Sequence, residues 1–250
     1  MTSLVNCGES LDTPAASPGP TRPTLRNTPG PSSIVTINVH GIGLTDRALE
    51  PGEDNTWVSI GQFEQVLDAV AGHDDVRLTF DDGNASDLTI ALPRLRERGL
   101  TAEFFVLAGL LGERGRLDHD GVRELLGAGM AIGSHGWVHR DWRRITDAEA
   151  EQELGEAHRV LSELTEQPVS RVAIPFGSYD RRVLQRLRAA RVTRAFTSDG
   201  GRANPRSWLQ ARNSLHHDLD AAWIDRVLRP QPLPARLRNH AARTVKRMRG

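Results

Sequence analysis

The stretch Val76-Arg77-Leu78-Thr79-Phe80-Asp81-Asp82-Gly83 sets two adjacent carboxylates at the end of a short apolar strand and follows them with a turn-making glycine. Two like charges side by side repel each other, and burying both is costly unless a cation or a shared proton relieves the repulsion. Further along, Ser134-His135-Gly136-Trp137-Val138-His139 supplies two imidazoles four positions apart. One carboxylate with two histidines is a ligand set suited to a catalytic zinc-type ion that keeps open positions, and the second carboxylate is then free to act as a base. Alone, an Asp-Asp pair is often a solvated turn, and His-x-x-x-His recurs on helices. Here both elements follow short apolar strands, and a third strand ends in Ile174-Pro175-Phe176-Gly177. Chemistry in α/β sheets collects at the carboxyl ends of strands, so the coincidence points to one site.

Outward from this stretch, strands and helices alternate. Upstream, the β-branched run Ile34 to Val39 predicts a buried strand ending at His40-Gly41, and residues 41–57 read as a loop. Ser59 with Gln62 forms a capping box for a helix whose stripe is Phe63, Val66, Leu67 and Val70. Downstream, Leu88, Ala91, Leu92 and Leu95 share one face of a helix that stops at Gly99. A strand over Ala102 to Leu107, a helix over Asp118 to Leu126 and a strand over Met130 to Ile132 follow. Thr146 with Glu149 caps a long helix bearing Leu154, Ala157, Leu161 and Leu164. Then come a strand over Val172 to Ile174, a helix over Asp180 to Arg191, a strand over Arg194 to Thr197 and a last strand over Trp208 to Ser214. Such alternation predicts parallel strands with helices outside. His40-Gly41-Ile42-Gly43 does not continue as G-x-G-x-x-G, which argues against a dinucleotide fold.

The order T-F-D-D-G, then S-H-x-x-x-H, then P-F-G resembles the polysaccharide deacetylase family, the chitooligosaccharide deacetylase homologues of carbohydrate esterase family 4, over roughly residues 34 to 220. The resemblance implies a distorted (β/α) barrel of about seven parallel strands in a single domain, and removal of N- or O-acetyl groups from sugars with a divalent metal. It assigns Asp82, His135 and His139 as metal ligands, zinc being the expected ion, and Asp81 as the general base. The family's acid is a histidine in a late Leu-x-His element. Leu215-His216-His217 matches that element and puts His217 in the role, with His216 and His40 as the other candidates. Two departures stand out. Many relatives carry an arginine two residues before the motif's proline, and here that position is Ala173, leaving Arg171 or Arg212 to orient the base. Arg212, at the end of the last strand, is the one taken as catalytic. The histidine motif also has Gly136 where threonine is usual. Pro175, Phe176 and Gly177 are expected to form a groove wall, with Trp137, Tyr179 and His40 against substrate and Trp142 either lining the sugar site or plugging the barrel mouth.

Composition bounds the rest. A chain of 250 residues suffices for one α/β domain with a real core. The formal net charge is zero, so no global field argues for nucleic acid. Residues 1–33 hold Pro14, Pro18, Pro20, Pro23, Pro29 and Pro31 and are expected to be disordered ahead of a catalytic domain over 34–228. After Asp225 there is no acidic residue, while Arg226, Arg229, Arg236, Arg238, Arg243, Lys246, Arg247 and Arg249 crowd the end. The tail over 229–250 is therefore read as a solvated basic segment or one in peripheral contact with an anionic membrane. Cys7 is the only cysteine, and neither a signal peptide nor a run of transmembrane length is evident, so the expected location is cytoplasmic, with contact at the inner membrane face. The expected substrate is an N-acetylated sugar, free or lipid-linked. The rival readings are a metal amidohydrolase of the same fold acting on a non-sugar amide or cyclic imide, and a catalytically degenerate relative that only binds a glycan.

Overall fold

The computed structural model of the chain describes residues 31–45, 47–229 and 244–246. The expected disordered segment 1–33 lies outside the described residues except for 31–33, and the basic tail 229–250 except for 229 and 244–246. The strand expected from the β-branched run is β1 (Ile34–Val39), buried along its whole length. The segment read as a loop carries a small parallel pair, β2 (Gly41–Ile42) with β3 (Trp57–Val58). Ser59 then caps α1 (Ile60–Val70) through the capping box with Gln62.

The chain continues through β4 (Val76–Phe80), a widened π-type turn over Asp87–Ala91, and α2 (Leu92–Glu97). Next come β5 (Ala102–Val106), α3 (His119–Gly127) and β6 (Ala131–Ser134). The long helix expected after Thr146 is α4 (Asp147–Ala150), a second π-type widening over Glu151–Glu156, and α5 (Ala157–Thr165). Then follow β7 (Arg171–Ala173), α6 (Arg181–Ala189), β8 (Arg194–Thr197) and β9 (Arg202–Ala203). The expected last strand is divided into β10 (Leu209–Ala211) and β11 (Asn213–Ser214), after which comes α7 (Ala221–Leu228).

The strand order is β10-β8-β7-β6-β5-β4-β1-β11, all parallel, with β9 antiparallel on β1. The division of the last strand has a physical cause. Ala211 pairs with Thr197 of β8, while Asn213 pairs with Ile37 of β1, so the chain changes partner across Arg212 and bridges the first and last strands of the sheet. Counted as one run, 209–214 completes a nearly closed barrel of seven parallel strand segments. The helices lie outside, as the right-handed strand–helix–strand rule demands.

Strand residues alternate between two environments. Ile37, Val39, Phe80 and Phe104 belong to the main core with Phe63 and Leu67 of α1, and the Phe80 and Phe104 rings stack 4.5 Å apart. The alternate positions Thr36, Asn38, Thr79, Asp81 and Arg212 are equally buried but polar. They meet a small aromatic cluster of Phe105, Ala173 and Phe196, whose two rings face the Arg212 guanidinium at 5.5 and 5.8 Å. No helix in the described residues is long and apolar enough to cross a membrane.

Candidate metal centre and active site

Asp82, His135 and His139 converge at the carboxyl ends of β4 and β6, each offering a ligand atom within 4.8 Å of the others. Asp82 is the second residue after β4, and His135 follows at once on β6, whose strand runs two residues beyond the expected Ile132. Asp82 and His139 both adopt left-handed backbone, with φ of 75° and 62°. Such strain in non-glycine residues persists where the surroundings over-determine it, and it gathers at functional sites. His135 Nδ1 lies 2.9 Å from the Ala173 carbonyl, which can only accept, so Nδ1 carries the proton and Nε2 presents its lone pair. That Nε2 is 3.4 Å from Asp82 Oδ1, and His139 Nε2 is 3.7 Å from the same oxygen. Asp82 Oδ1 is buried and has no hydrogen-bond partner. A buried, unpartnered carboxylate oxygen facing two imidazole nitrogens is a donor set that fits a divalent cation.

Asp81 points to different company. Arg212 donates to both of its oxygens, at 2.7 and 2.8 Å, and Asn38 Nδ2 donates to Oδ2 at 2.9 Å. Asn38 is itself oriented, since its Oδ1 accepts from Thr79 Oγ1 at 2.7 Å and Arg212 Nη1 at 2.8 Å. Burial pushes the Asp81 carboxyl up, but Arg212 and then His135 outweigh it and hold the group at about 2. Burial likewise opposes ionisation of Asp82, and the adjacent His135 and His139 imidazoles hold it well below the usual carboxylate range. The His139 imidazole is depressed to about 4 by burial. Asp87, on the widened turn, is fully buried with both carboxyl oxygens unpartnered, and burial followed by the Asp82 charge raises it well above the ordinary value.

Asp81, Asp82, His135, His139 and Arg212 line a cavity of about 580 Å³. His40 lines it with its Nε2 3.9 Å from Asp81, and burial depresses its pKa. Phe176 forms part of the wall, 61% exposed, with its ring 4.3 Å from that of His139. Pro175 and Gly177 are buried beside it. The late histidine pair divides: His216 lines the cavity, whereas exposed His217 turns to the Asn55 carbonyl at 3.3 Å. Both histidines lie beyond β11, which ends at Ser214. Arg171 bonds Glu103 and does not reach the site.

The remaining aromatic candidates are not among the cavity's lining residues. Trp137 packs against Gly109, where a Cβ would collide with the indole. Trp142 is buried, with its Nε1 donating to Glu153 at 3.2 Å. The Tyr179 hydroxyl donates to Asp199 at 2.7 Å.

Sequence reading missed Asn38, Arg116 and Trp223. Asn38 had a signal, as a polar residue inside a β-branched run. Arg116, which lines the cavity and donates to the Asp82 carbonyl at 3.0 Å, sits in a loop without a motif. Trp223 and Val227 of α7 form an apolar part of the wall.

Comparison with known proteins bears on the fold and the family. The polysaccharide deacetylase family model matches residues 69–195, just over half of the chain. A Bacillus subtilis protein described as a polysaccharide deacetylase, YxkH, is 23% identical over 129 residues. That match covers 52% of this chain and 46% of the relative, so the chain spans less than half of that protein's length. Among solved structures, the Streptococcus pyogenes deacetylase PplD in complex with acetate superposes with a TM-score of 0.68 at 20% identity, covering 80% of this chain and 100% of that one. The polysaccharide deacetylase BC0361 of Bacillus cereus gives 0.69 at 20% identity, covering 79% and 69%. The fold is shared with both, the family model spans β4 through β7 and the start of β8 with the Asp81-Asp82 and His135–His139 elements, and the chain belongs to the polysaccharide deacetylase family.

Proposed function

We propose that the protein is a metal-dependent hydrolase that removes an acetyl group from an N-acetylated sugar, with Asp82, His135 and His139 holding the ion. The observation that carries this reading is the pairing of an orphaned Asp82 oxygen among two imidazoles with a neighbouring Asp81 whose oxygens are turned to Arg212. The two carboxylates are thereby given different work. When bound, a divalent ion such as zinc supplies Lewis acidity to the acetyl carbonyl and to the attacking water.

The chain's own residues do the rest. Asp81 is ionised at neutral pH and takes the proton of the water, while Arg212 and Asn38 fix its orientation. Arg212 takes the place of the arginine expected two residues before Pro175. His216, which lines the cavity just beyond the last strand, protonates the departing amine, and His40 sits beside the base. The cavity receives the sugar against Phe176 and the α7 wall.

Acetate release over a panel of N-acetylhexosamine substrates, from monosaccharide to lipid-linked saccharide, tests the reading. Release that depends on added metal and disappears in Asp82→Ala supports it. Metal binding without acetate release from any member of the panel would overturn it in favour of a non-sugar amide or a binding role.

A further inference from the structure

The segment between the two histidine ligands is held by a residue that no motif marks. Glu153 lies in the widened turn Glu151–Glu156, fully buried, at 0% exposure. Its Oε2 accepts from the Trp137 backbone N–H at 2.8 Å and from Trp142 Nε1 at 3.2 Å, and its Oε1 accepts from the Val138 N–H at 3.3 Å. Arg140 Nη1 lies 3.5 Å from Oε1. The carbonyls of the same loop are held from the other side, Gly136 by the Ala108 N–H at 3.0 Å and Trp137 by the Gly109 N–H at 2.9 Å. The remaining N–H, that of Gly136, donates to Ser134 Oγ at 3.1 Å. Every backbone polar group from Gly136 N to Val138 N is thus fixed, and the fixed segment leads straight into His139 with its left-handed φ.

The loop makes room for this carboxylate. Gly136 has a φ of 91°, and a Cβ there would collide with Glu153 Oε2 and stand 3.0 Å from the Trp142 ring. A fully buried carboxylate is costly unless donors surround it, and here the donors come from the loop that joins the two ligands and from the residues just after it. We propose that Glu153 is a positioning residue of the metal centre: it clamps the 136–138 segment so that His135 and His139 face one ion, and Gly136 is side-chain-free to admit it. This rests on the metal reading above.

Two probes test the assignment, zinc itself and amide exchange in the metal-free protein. Glu153→Met fills the volume without accepting hydrogen bonds, and Glu153→Gln keeps shape and one acceptor oxygen. Exchange of the Trp137 and Val138 amides should be fast in Glu153→Met and intermediate in Glu153→Gln. Zinc affinity, measured by chelator competition, should weaken about 10–100-fold in Glu153→Met, with partial rescue in Glu153→Gln. Folded variants that bind zinc within about twofold of wild type would overturn the proposal, even if exchange quickened, because Glu153 would then be a local tether only. If Glu153→Met does not fold, Glu153→Gln decides, and an unfolded Glu153→Gln would mark a residue of the fold and overturn the assignment too. A wild-type protein that binds no zinc would overturn the metal reading together with this one. A wild type that binds zinc no better than its variants would overturn this one alone.

Discussion

Asp81 and Asp82 are neighbours in sequence and opposites in environment. Asp82 presents an unpartnered oxygen to two imidazoles, and Asp81 is saturated by a guanidinium and an amide. Their substitutions should therefore separate. Ala at Asp82, His135 or His139 should weaken metal binding by more than the about 10–100-fold typical of outer-shell changes, as elemental analysis and chelator competition would show. In those variants zinc should also lose its stabilising effect on the fold, which for the wild type at about 100 times Kd is about 2.7 kcal/mol. Asp81→Asn should keep the metal and lose about 10²–10⁴-fold in turnover, because the amide keeps the shape and cannot take the proton. Equal metal loss in Asp81→Asn would merge the two roles and sink the division. The residue types and spacing of this centre were legible in the sequence. Arg212 was taken over Arg171 as the partner of the base from its place at the end of the last strand, and its two-pronged contact, a proximity across the barrel, leaves no trace in local spacing.

At the scale of elements, strand boundaries and caps were readable wherever the pattern was local: the capping boxes at Ser59 and Thr146 stand as expected. The π-type widenings were not, since a helix with one extra residue in a turn keeps an apolar stripe. Nor was the facing of the late histidines, which lie beyond the end of the last strand. His216 lines the cavity and His217 does not, so His216→Asn should lower turnover by about 10²–10⁴-fold and His217→Asn should leave it near wild type. A rate loss in His217→Asn alone would return the role to the Leu-x-His match. On α5, His158 has a buried Nε2 without a partner, and burial depresses its pKa from 6.5 to about 4. Between those values the unfolded chain binds a proton that the folded chain does not. His158 therefore costs stability as pH falls from 6.5 towards 4, at no more than about 1.4 kcal/mol per pH unit, and less because the ring is partly exposed. Urea denaturation at pH 6.5 and 4.5 should show a smaller acid loss for His158→Leu than for wild type, the difference cancelling the site histidines that titrate in the same range. Parallel losses would place the His158 ring in water.

For the whole molecule, the barrel is closed by a strand run that changes partner at Arg212, and that residue carries its charge to the base inside the barrel. Closure and catalysis thus share a side chain, which raises the question of which one the buried pair serves. A buried ion pair is weak evidence for stability, because desolvation offsets much of the attraction, whereas removing one partner strands the other charge. Arg212→Met should accordingly destabilise the protein by about 3–5 kcal/mol, leaving Asp81 buried without its main counter-charge and with Asn38 as its remaining hydrogen-bond donor. The double variant Arg212→Met with Asp81→Asn removes both charges and keeps the volumes. It should recover most of that loss in denaturant unfolding while staying inactive with metal bound. Such a result would mean that the pair is retained for orienting the base and that the barrel closes without it. A double variant as unstable as Arg212→Met alone would instead make the guanidinium, through its contacts to Asn38, the Thr197 carbonyl and the aromatic rings, the strut on which closure depends.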